Sequence, residues 1–229
     1  MSGQQLYIPN QNSGRILGLL FLGTMFTGGA GTALRGLSGA EIETIEFVTM
    51  VSEATIQMKN AIYLDMMGSA IAVGIAIFLF PFVRKVNLRL SLAYLSIACI
   101  NFVIITMSNV LHIGLLSVAA DYTTSQVGEG SFYVTLGKLF FESYYWVHFL
   151  MLMMYSIGGW FLFYFMYASK LIPSWLAIWG IVANVIVFAG GALQIVDLPA
   201  SIYMFIQNGI FMIVLTIWLL VRGFQPSSY

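Results

Sequence analysis

Long apolar runs alternate with short polar breaks along nearly the whole chain. A helix needs about 20 mostly apolar residues to cross a lipid bilayer, and six runs reach that length. They are too long and too uniformly apolar to be barrel strands, so the pattern predicts an all-α membrane protein with about six transmembrane helices. The predicted spans are residues 15–34, 61–83, 90–117, 140–168, 172–196 and 201–221.

The breaks between these spans have recognisable causes. Three cations lie in residues 84–89, between the second and third spans. Proline is tolerated in a first helical turn, so Pro173 fits the start of the fifth span. The first run is interpreted as a span and not as a signal peptide, because its basic region is reduced to Arg15 and no clear cleavage site follows. One membrane domain over residues 15–224 is therefore expected, with polar tails at 1–14 and 225–229.

Two segments outside the spans differ from simple turns. Residues 38–59 begin with Ser38-Gly39-Ala40-Glu41, a capping-box pattern that starts a helix. Their apolar residues then recur on one side, which predicts an amphipathic helix on the outer surface or folded over the bundle; those residues are Ile42, Ile45, Val48 and Val51. The same segment is also compatible with the start of a long second span. Residues 119–136 are rich in Gly, Ser and Thr and predict a polar loop.

Composition supports the membrane interpretation and excludes several functions. Only 8% of the residues are charged, against about 25% in a soluble domain, and 60% are hydrophobic. Nine Lys and Arg balance nine Asp and Glu, so there is no basic surface for nucleic acid. The single cysteine, Cys99, excludes an internal disulfide and a cysteine-based zinc site. The expected partners are membrane lipids, a membrane protein or a second copy of the chain.

The loop cations predict an orientation, because Lys and Arg are enriched on the cytoplasmic side of membrane proteins. With both termini inside, the cytoplasmic side holds six cations: Arg15, Arg84, Lys85, Arg89, Lys170 and Arg222. The outer side holds three cations, Arg35, Lys59 and Lys138. Tyrosines are expected to mark the outer interface at Tyr63, Tyr144, Tyr145 and Tyr203.

Polar and ionisable residues inside a membrane are costly, so they mark candidate functional positions. Nearly all of them fall in the outer half of the bundle in this orientation. The candidate ligand-binding residues are Asp65, Asn101, Ser108, His112, Glu142, Tyr145, His148, Gln194, Gln207 and Asn208. Helical spacing places Asn101, Ser108 and His112 on one face, and Asp65 and Ser69 on another. If such faces converge, they line an outward-facing vestibule; the alternative is that each group is satisfied singly.

The chemistry of these residues suggests no established reaction. Two imidazoles and two carboxylates are the ligand types of a metal site, formed by Asp65, His112, Glu142 and His148. There is no His-Glu-x-x-His pattern, no serine nucleophile motif and no phosphate-binding loop. No cofactor and no catalytic residue is predicted, and a metal ion is kept only as an alternative.

Four short segments resemble a known family in their order and spacing. They run from Arg15 to Leu22, from Phe82 to Leu92, from Ala168 to Leu176 and from Trp218 to Phe224. Over about residues 14–224 the chain resembles the bacterial multispan membrane family called domain of unknown function 4386. The resemblance implies six spans and a bacterial plasma membrane, and it implies no activity.

The resemblance transfers no functional residue. The family carries a Gly-Leu-His-Leu-Leu stretch about four helical turns before its Ile-Pro pair. This chain has Ile157-Gly158-Gly159 at roughly that place, and His148 lies further upstream.

The favoured function is therefore non-enzymatic. The protein is expected to bind a lipid, a small molecule or a protein partner through the vestibule, or to act as an accessory subunit of a membrane complex. The alternatives are a metal-dependent hydrolase embedded in the membrane and a small-solute transporter.

Overall fold

The computed structural model describes residues 10–36, 41–124 and 130–225, and every regular element within those ranges is helical. The seven helices are α1 (Gln11–Arg35), α2 (Ile45–Glu53), α3 (Thr55–Val86), α4 (Leu88–Thr124), α5 (Gly130–Ala168), α6 (Ser174–Ile195) and α7 (Tyr203–Arg222). All except the short α2 are long and apolar enough to cross a membrane. The predicted all-α bundle with six spanning helices is confirmed.

Helices α4 and α5 extend well beyond their predicted spans. The expected loop over residues 119–136 is wrong for most of its length, because α4 continues to Thr124 and α5 begins at Gly130. Residues 125–129 lie outside the described ranges. The hydroxyl of Thr123 donates to the carbonyl of Ala120, and that of Thr135 donates to the carbonyl of Ser131. Such bonds to the preceding turn let polar residues remain within a helix.

Helix α2 is shorter than the predicted amphipathic element. It begins after Thr44, whose hydroxyl accepts a hydrogen bond from the backbone N–H of Phe47 at 3.2 Å. The capping segment proposed for residues 38–40 lies outside the described ranges. Residues 55–59 belong to α3, so the alternative of a long second span is right for that part.

Most of the predicted apolar side is packed on the core, where Ile42 lies against the cluster that contains Val48 and Val51, and the exception is Ile45. Phe47, Val48 and Val51 are buried against α3, α4 and α5, whereas Ile45 remains 44% exposed. The short helix therefore packs over one end of the bundle, here called the α2 end.

The spanning helices form a closed ring. Each of α3 to α7 packs on its neighbour in the chain, α1 packs on α3, and α7 closes the ring by packing on α1. Because consecutive spans alternate in direction, α1 and α7 are antiparallel. The first turn of α1 and the last turn of α7 therefore meet at the end opposite α2, here called the terminal end.

The terminal end is densely packed. A Cβ placed at Gly18 would lie 3.1 Å from side-chain atoms of Leu219 and Leu220, so glycine allows α1 and α7 to approach closely. The large side chains of Phe82, Phe163, Phe211 and Phe224 are fully buried in this region or next to it. The cavity lies in the middle of the bundle and reaches Arg35 toward the α2 end.

Candidate functional site

A cavity of about 430 Å³ lies inside the ring of helices. Its walls come from α1, α3, α4, α5 and α7. Toward the middle of the bundle the wall is apolar, with Phe21, Ile75, Leu162, Phe163 and Met212. Toward the α2 end it becomes polar and charged, so the cavity is amphipathic along its length.

The charged part of the wall is an ion pair between two helices. Arg35, at the end of α1, pairs with Asp65 of α3. Their side chains are only 9% and 17% exposed, respectively. The two helices can approach here because position 31 is glycine: a Cβ on Gly31 would lie 3.0 Å from the Asp65 carboxylate.

The ion pair leaves one hydrogen-bond donor of the Arg35 guanidinium, the Nε atom, without a partner in the described part of the chain. The Nε atom of Arg35 is buried and has no hydrogen-bond partner among the described residues. The Arg35 guanidinium carbon lies 5.7 Å from the centre of the Tyr144 ring, within the range of a cation–π interaction. A buried donor without a partner is costly, so a ligand that accepts a hydrogen bond would be stabilised at this position.

Two histidines flank Tyr144. The ring centres of His112 and Tyr144 are 4.0 Å apart, and those of Tyr144 and His148 are 6.0 Å apart. Tyr144 and His148 are four residues apart on α5 and share its cavity face. His112 is almost fully buried behind them, and neither of its ring nitrogens has a hydrogen-bond partner in the described part of the chain.

Comparison with known families assigns the chain to one of them. The family model of domain of unknown function 4386 (DUF4386) matches residues 16–223. The chain belongs to the DUF4386 family. The resemblance inferred from the four short segments is thereby confirmed, and the match includes all the residues that line the cavity.

The other comparisons add no relative. No curated protein and no solved structure matches the chain significantly.

Half of the predicted ligand-binding residues line the cavity of this DUF4386 chain. These are Asp65, Asn101, Ser108, His148 and Asn208. They come from α3, α4, α5 and α7, so polar faces of four helices do meet in one space. Ser69, predicted to share a face with Asp65, also lines it.

The remaining predicted residues make separate local contacts. His112 lies behind Tyr144, as described above. Glu142 is exposed and lies 3.8 Å from the Lys138 ammonium. The Tyr145 hydroxyl donates to Gln194 at 3.4 Å. Gln207 donates to the backbone carbonyls of residues 183 and 204. For Glu142, Tyr145, Gln194 and Gln207 the alternative of single satisfaction describes the structure better than a shared vestibule, whereas His112 has no hydrogen-bond partner among the described residues.

The prediction missed two central residues of the site. Arg35 was expected in an outer loop, but α1 includes it and turns it inward onto Asp65. Tyr144 was expected at the membrane interface, but it lines the cavity. The helical spacing could have identified both residues. Arg35 follows Gly31 by four residues on the α3-facing side of α1, and Tyr144 precedes His148 by four residues on α5.

The four candidate metal ligands do not assemble. The described residues contain no group of three or more His, Cys, Asp or Glu side chains placed to hold a metal ion. Asp65 is engaged by Arg35, and Glu142 lies at the surface beside Lys138. The geometry of this DUF4386 protein therefore gives the metal-dependent hydrolase no support.

Proposed function

We propose that the protein binds an amphipathic small molecule or lipid in this cavity, with an acidic headgroup at Arg35 and an apolar portion deeper in the bundle. The observation that carries the proposal is the buried guanidinium with an unpartnered Nε in the cavity wall. Arginine is well suited to carboxylate and phosphate groups, because its donors form a planar fork. The volume of about 430 Å³ lies within the usual range for small-molecule sites.

The wall hydroxyls favour binding over catalysis. Thr24 donates to the carbonyl of Phe21 at 2.8 Å, and Ser69 donates to that of Met66 at 3.0 Å. Each hydroxyl is thus engaged by its own helix, and neither is hydrogen-bonded to a histidine or carboxylate that could activate it as a nucleophile. Asp65, the carboxylate of the wall, is held by Arg35.

We place both termini in the cytoplasm of a bacterium and the α2 end on the outer side of its plasma membrane. The excess of cations in the loops of the terminal end supports this orientation. The burial of Arg35 strengthens it, because that cation no longer counts toward the outer loops. A reporter fused after Tyr229 is expected to score cytoplasmic, and an external signal would reverse the orientation.

Binding is tested by native mass spectrometry in mild detergent, before and after addition of oleate, a long-chain carboxylate. The wild type is expected to retain a non-protein mass or to take up oleate. The variant Arg35→Gln/Asp65→Asn removes both charges together, so it avoids leaving one of them buried alone. It is expected to lose most of the bound mass.

The matched control is Lys138→Gln, which removes an exposed cation at the same end that does not line the cavity. It is expected to bind like the wild type. A bare wild-type chain that takes up no oleate would overturn the proposal, and so would equal binding by the double variant. A co-purifying protein in place of a small ligand would instead favour the accessory-subunit alternative.

A further inference from the structure

Helix α1 presents one continuous stripe of residues toward α7. Its members are spaced seven, three and four residues apart, as the helical period allows: Gly18, Met25, Gly28 and Thr32. At the terminal end this stripe touches α7, since Gly18 meets Leu219 and Leu220. Nearer the middle, the Met25 sulfur accepts a hydrogen bond from the Thr216 hydroxyl at 3.5 Å.

The stripe behaves differently beyond Met25. Gly28 and Thr32 are both exposed, and both line the cavity. A Cβ built on Gly28 would meet no atom within 4 Å. The side of α1 that contacts α7 at the terminal end therefore faces open space toward the α2 end.

Helix α7 shows the matching change. Its α1-facing residues recur every four positions, from Leu220 through Thr216 to Met212 and Asn208. The last two line the cavity. The contact of Gly18 with Leu220 sets the register of this antiparallel pair. That register puts Met212 and Asn208 opposite Gly28 and Thr32. All four residues line the cavity. The open stretch from residue 25 to residue 32 is about 10 Å long at 1.5 Å per residue.

We propose that the cavity is entered from the side, through the gap between α1 and α7, by a membrane-resident amphiphile with a carboxylate headgroup. This inference rests on the proposed binding function and adds the class of ligand and its route. Because α1 and α7 are both long and apolar enough to cross a membrane, we infer that an opening between them faces lipid. A fatty acyl chain can therefore move from the bilayer into the apolar part of the cavity without crossing water.

The position of Arg35 fixes the headgroup end of this route. Arg35 follows Thr32 by three residues on α1, and its guanidinium turns toward Asp65 of α3 at the polar end of the cavity. Asp65 already balances the charge of the guanidinium. A carboxylate adds at most one further negative charge to this buried position, whereas a phosphate group carries up to two, and burying an uncompensated charge is costly. The available Nε donor and this charge balance together favour a carboxylic amphiphile.

The test uses photoactivatable fatty acids and the protein in phosphatidylcholine liposomes. One probe is a long-chain acid that partitions into the bilayer, and the other is a short-chain acid that remains in water. After illumination, the labelled peptides are mapped by mass spectrometry. The wild type is expected to be labelled by the long-chain acid at cavity residues such as Met212.

Two neighbouring glycines of α1 offer a matched pair of variants. Gly28 lines the cavity at the gap, whereas Gly29 is exposed, has no atom within 4 Å of a built Cβ, and does not line the cavity. Gly28→Phe is expected to reduce long-chain labelling of the cavity by about tenfold, as a side chain that overfills the passage would. Gly29→Phe is expected to leave it unchanged. Equal thermal stability of the two variants shows that the change reflects access and not folding.

Each other result contradicts the inference in a distinguishable way. Equal long-chain labelling in Gly28→Phe and Gly29→Phe would overturn the lateral route and leave the binding function intact. Cavity labelling by the short-chain acid alone would mean that ligands enter from water. No cavity labelling by either acid in the wild type would overturn both the carboxylate ligand and the proposed binding function for that class.

Discussion

The substitution Asp65→Asn tests the buried ion pair that defines the polar end of the cavity. It removes the carboxylate and leaves the guanidinium of Arg35 in a site where that side chain is only 9% exposed. Guanidinium cannot lose its proton in a protein, so the charge persists without its partner. Breaking a buried ion pair in this way costs about 3–5 kcal/mol.

The expected loss lies near the lower end of that range. Tyr144 remains 5.7 Å from the guanidinium carbon, and a desolvated cation–π contact contributes up to about 2 kcal/mol. We therefore expect a loss of about 3 kcal/mol in the free energy of unfolding. In a protein of this size each kcal/mol shifts the melting temperature by about 2–4 °C, which gives a decrease of about 6–12 °C.

The assay is thermal unfolding in mild detergent, followed by tryptophan fluorescence, for the wild type, both single variants and the double variant. Arg35→Gln is expected to cost less than Asp65→Asn, because an isolated aspartate can take up a proton and become neutral. The double variant Arg35→Gln/Asp65→Asn is expected to recover stability relative to Asp65→Asn, which the double-mutant cycle reports as a coupling energy.

The exposed ion pair between Lys138 and Glu43 is the control for this experiment. Its members are 37% and 73% exposed, and such surface pairs contribute little to stability. Glu43→Gln is therefore expected to leave the melting temperature nearly unchanged. A melting temperature of Asp65→Asn no lower than that of Glu43→Gln, together with no coupling in the cycle, would refute the reasoning.

Three further predictions concern α2 and the packing of α5. Phe47→Ala empties a position that is 2% exposed, so we expect a loss of about 3–5 kcal/mol and faster limited proteolysis at α2; unchanged proteolysis would mean that α2 is not held by this core. The Lys138 ammonium donates a hydrogen bond to Glu43 and lowers the pKa of that carboxyl group. The ion pair is therefore present above the usual pKa of glutamate, about 4.3, and is lost as the pH falls through the lowered pKa of Glu43. Proteolysis at α2 should rise in acid in the wild type and not in Glu43→Gln. A Cβ in Gly159→Ala would overlap the buried side chain of Asn184, so this variant should lose about 1–3 kcal/mol in thermal unfolding, and full stability would show that Asn184 can move aside.

The sequence alone predicts the spans because membrane crossing imposes a length requirement on each helix separately. The same is true of residues that share a face within one helix. Asp65 and Ser69 are four residues apart, and both line the cavity as their spacing implies. Boundaries were less predictable, because α4 and α5 continue through residues whose composition is typical of loops, where the hydroxyls of Thr123 and Thr135 bond to carbonyls of the preceding turn.

Contacts between helices could not be predicted in the same way. Arg35 and Glu142 are both ionisable and lie near the α2 end, yet Arg35 is buried and Glu142 is half exposed. The difference depends on the neighbouring helix: Gly31 lets α3 bring Asp65 against α1, whereas Glu142 points away from the cavity. Glu142 is also six residues from His148, which places it on a different side of α5. Spacing within a helix identifies a face, but only packing determines what that face meets.

The difference between the two ends of the bundle bears on the transporter alternative. Transport would require the cavity to open at the terminal end as well as at the proposed opening between α1 and α7. There, α1 and α7 touch through Gly18 against Leu219 and Leu220, and Phe224 packs edge-to-face on Phe82 at 6.5 Å. Opening would expose the buried side chains of Leu219, Phe82 and Phe224 and would separate the close contact that Gly18 permits. The packing of the terminal end therefore supports the proposed binding of a membrane ligand over the transport of a solute.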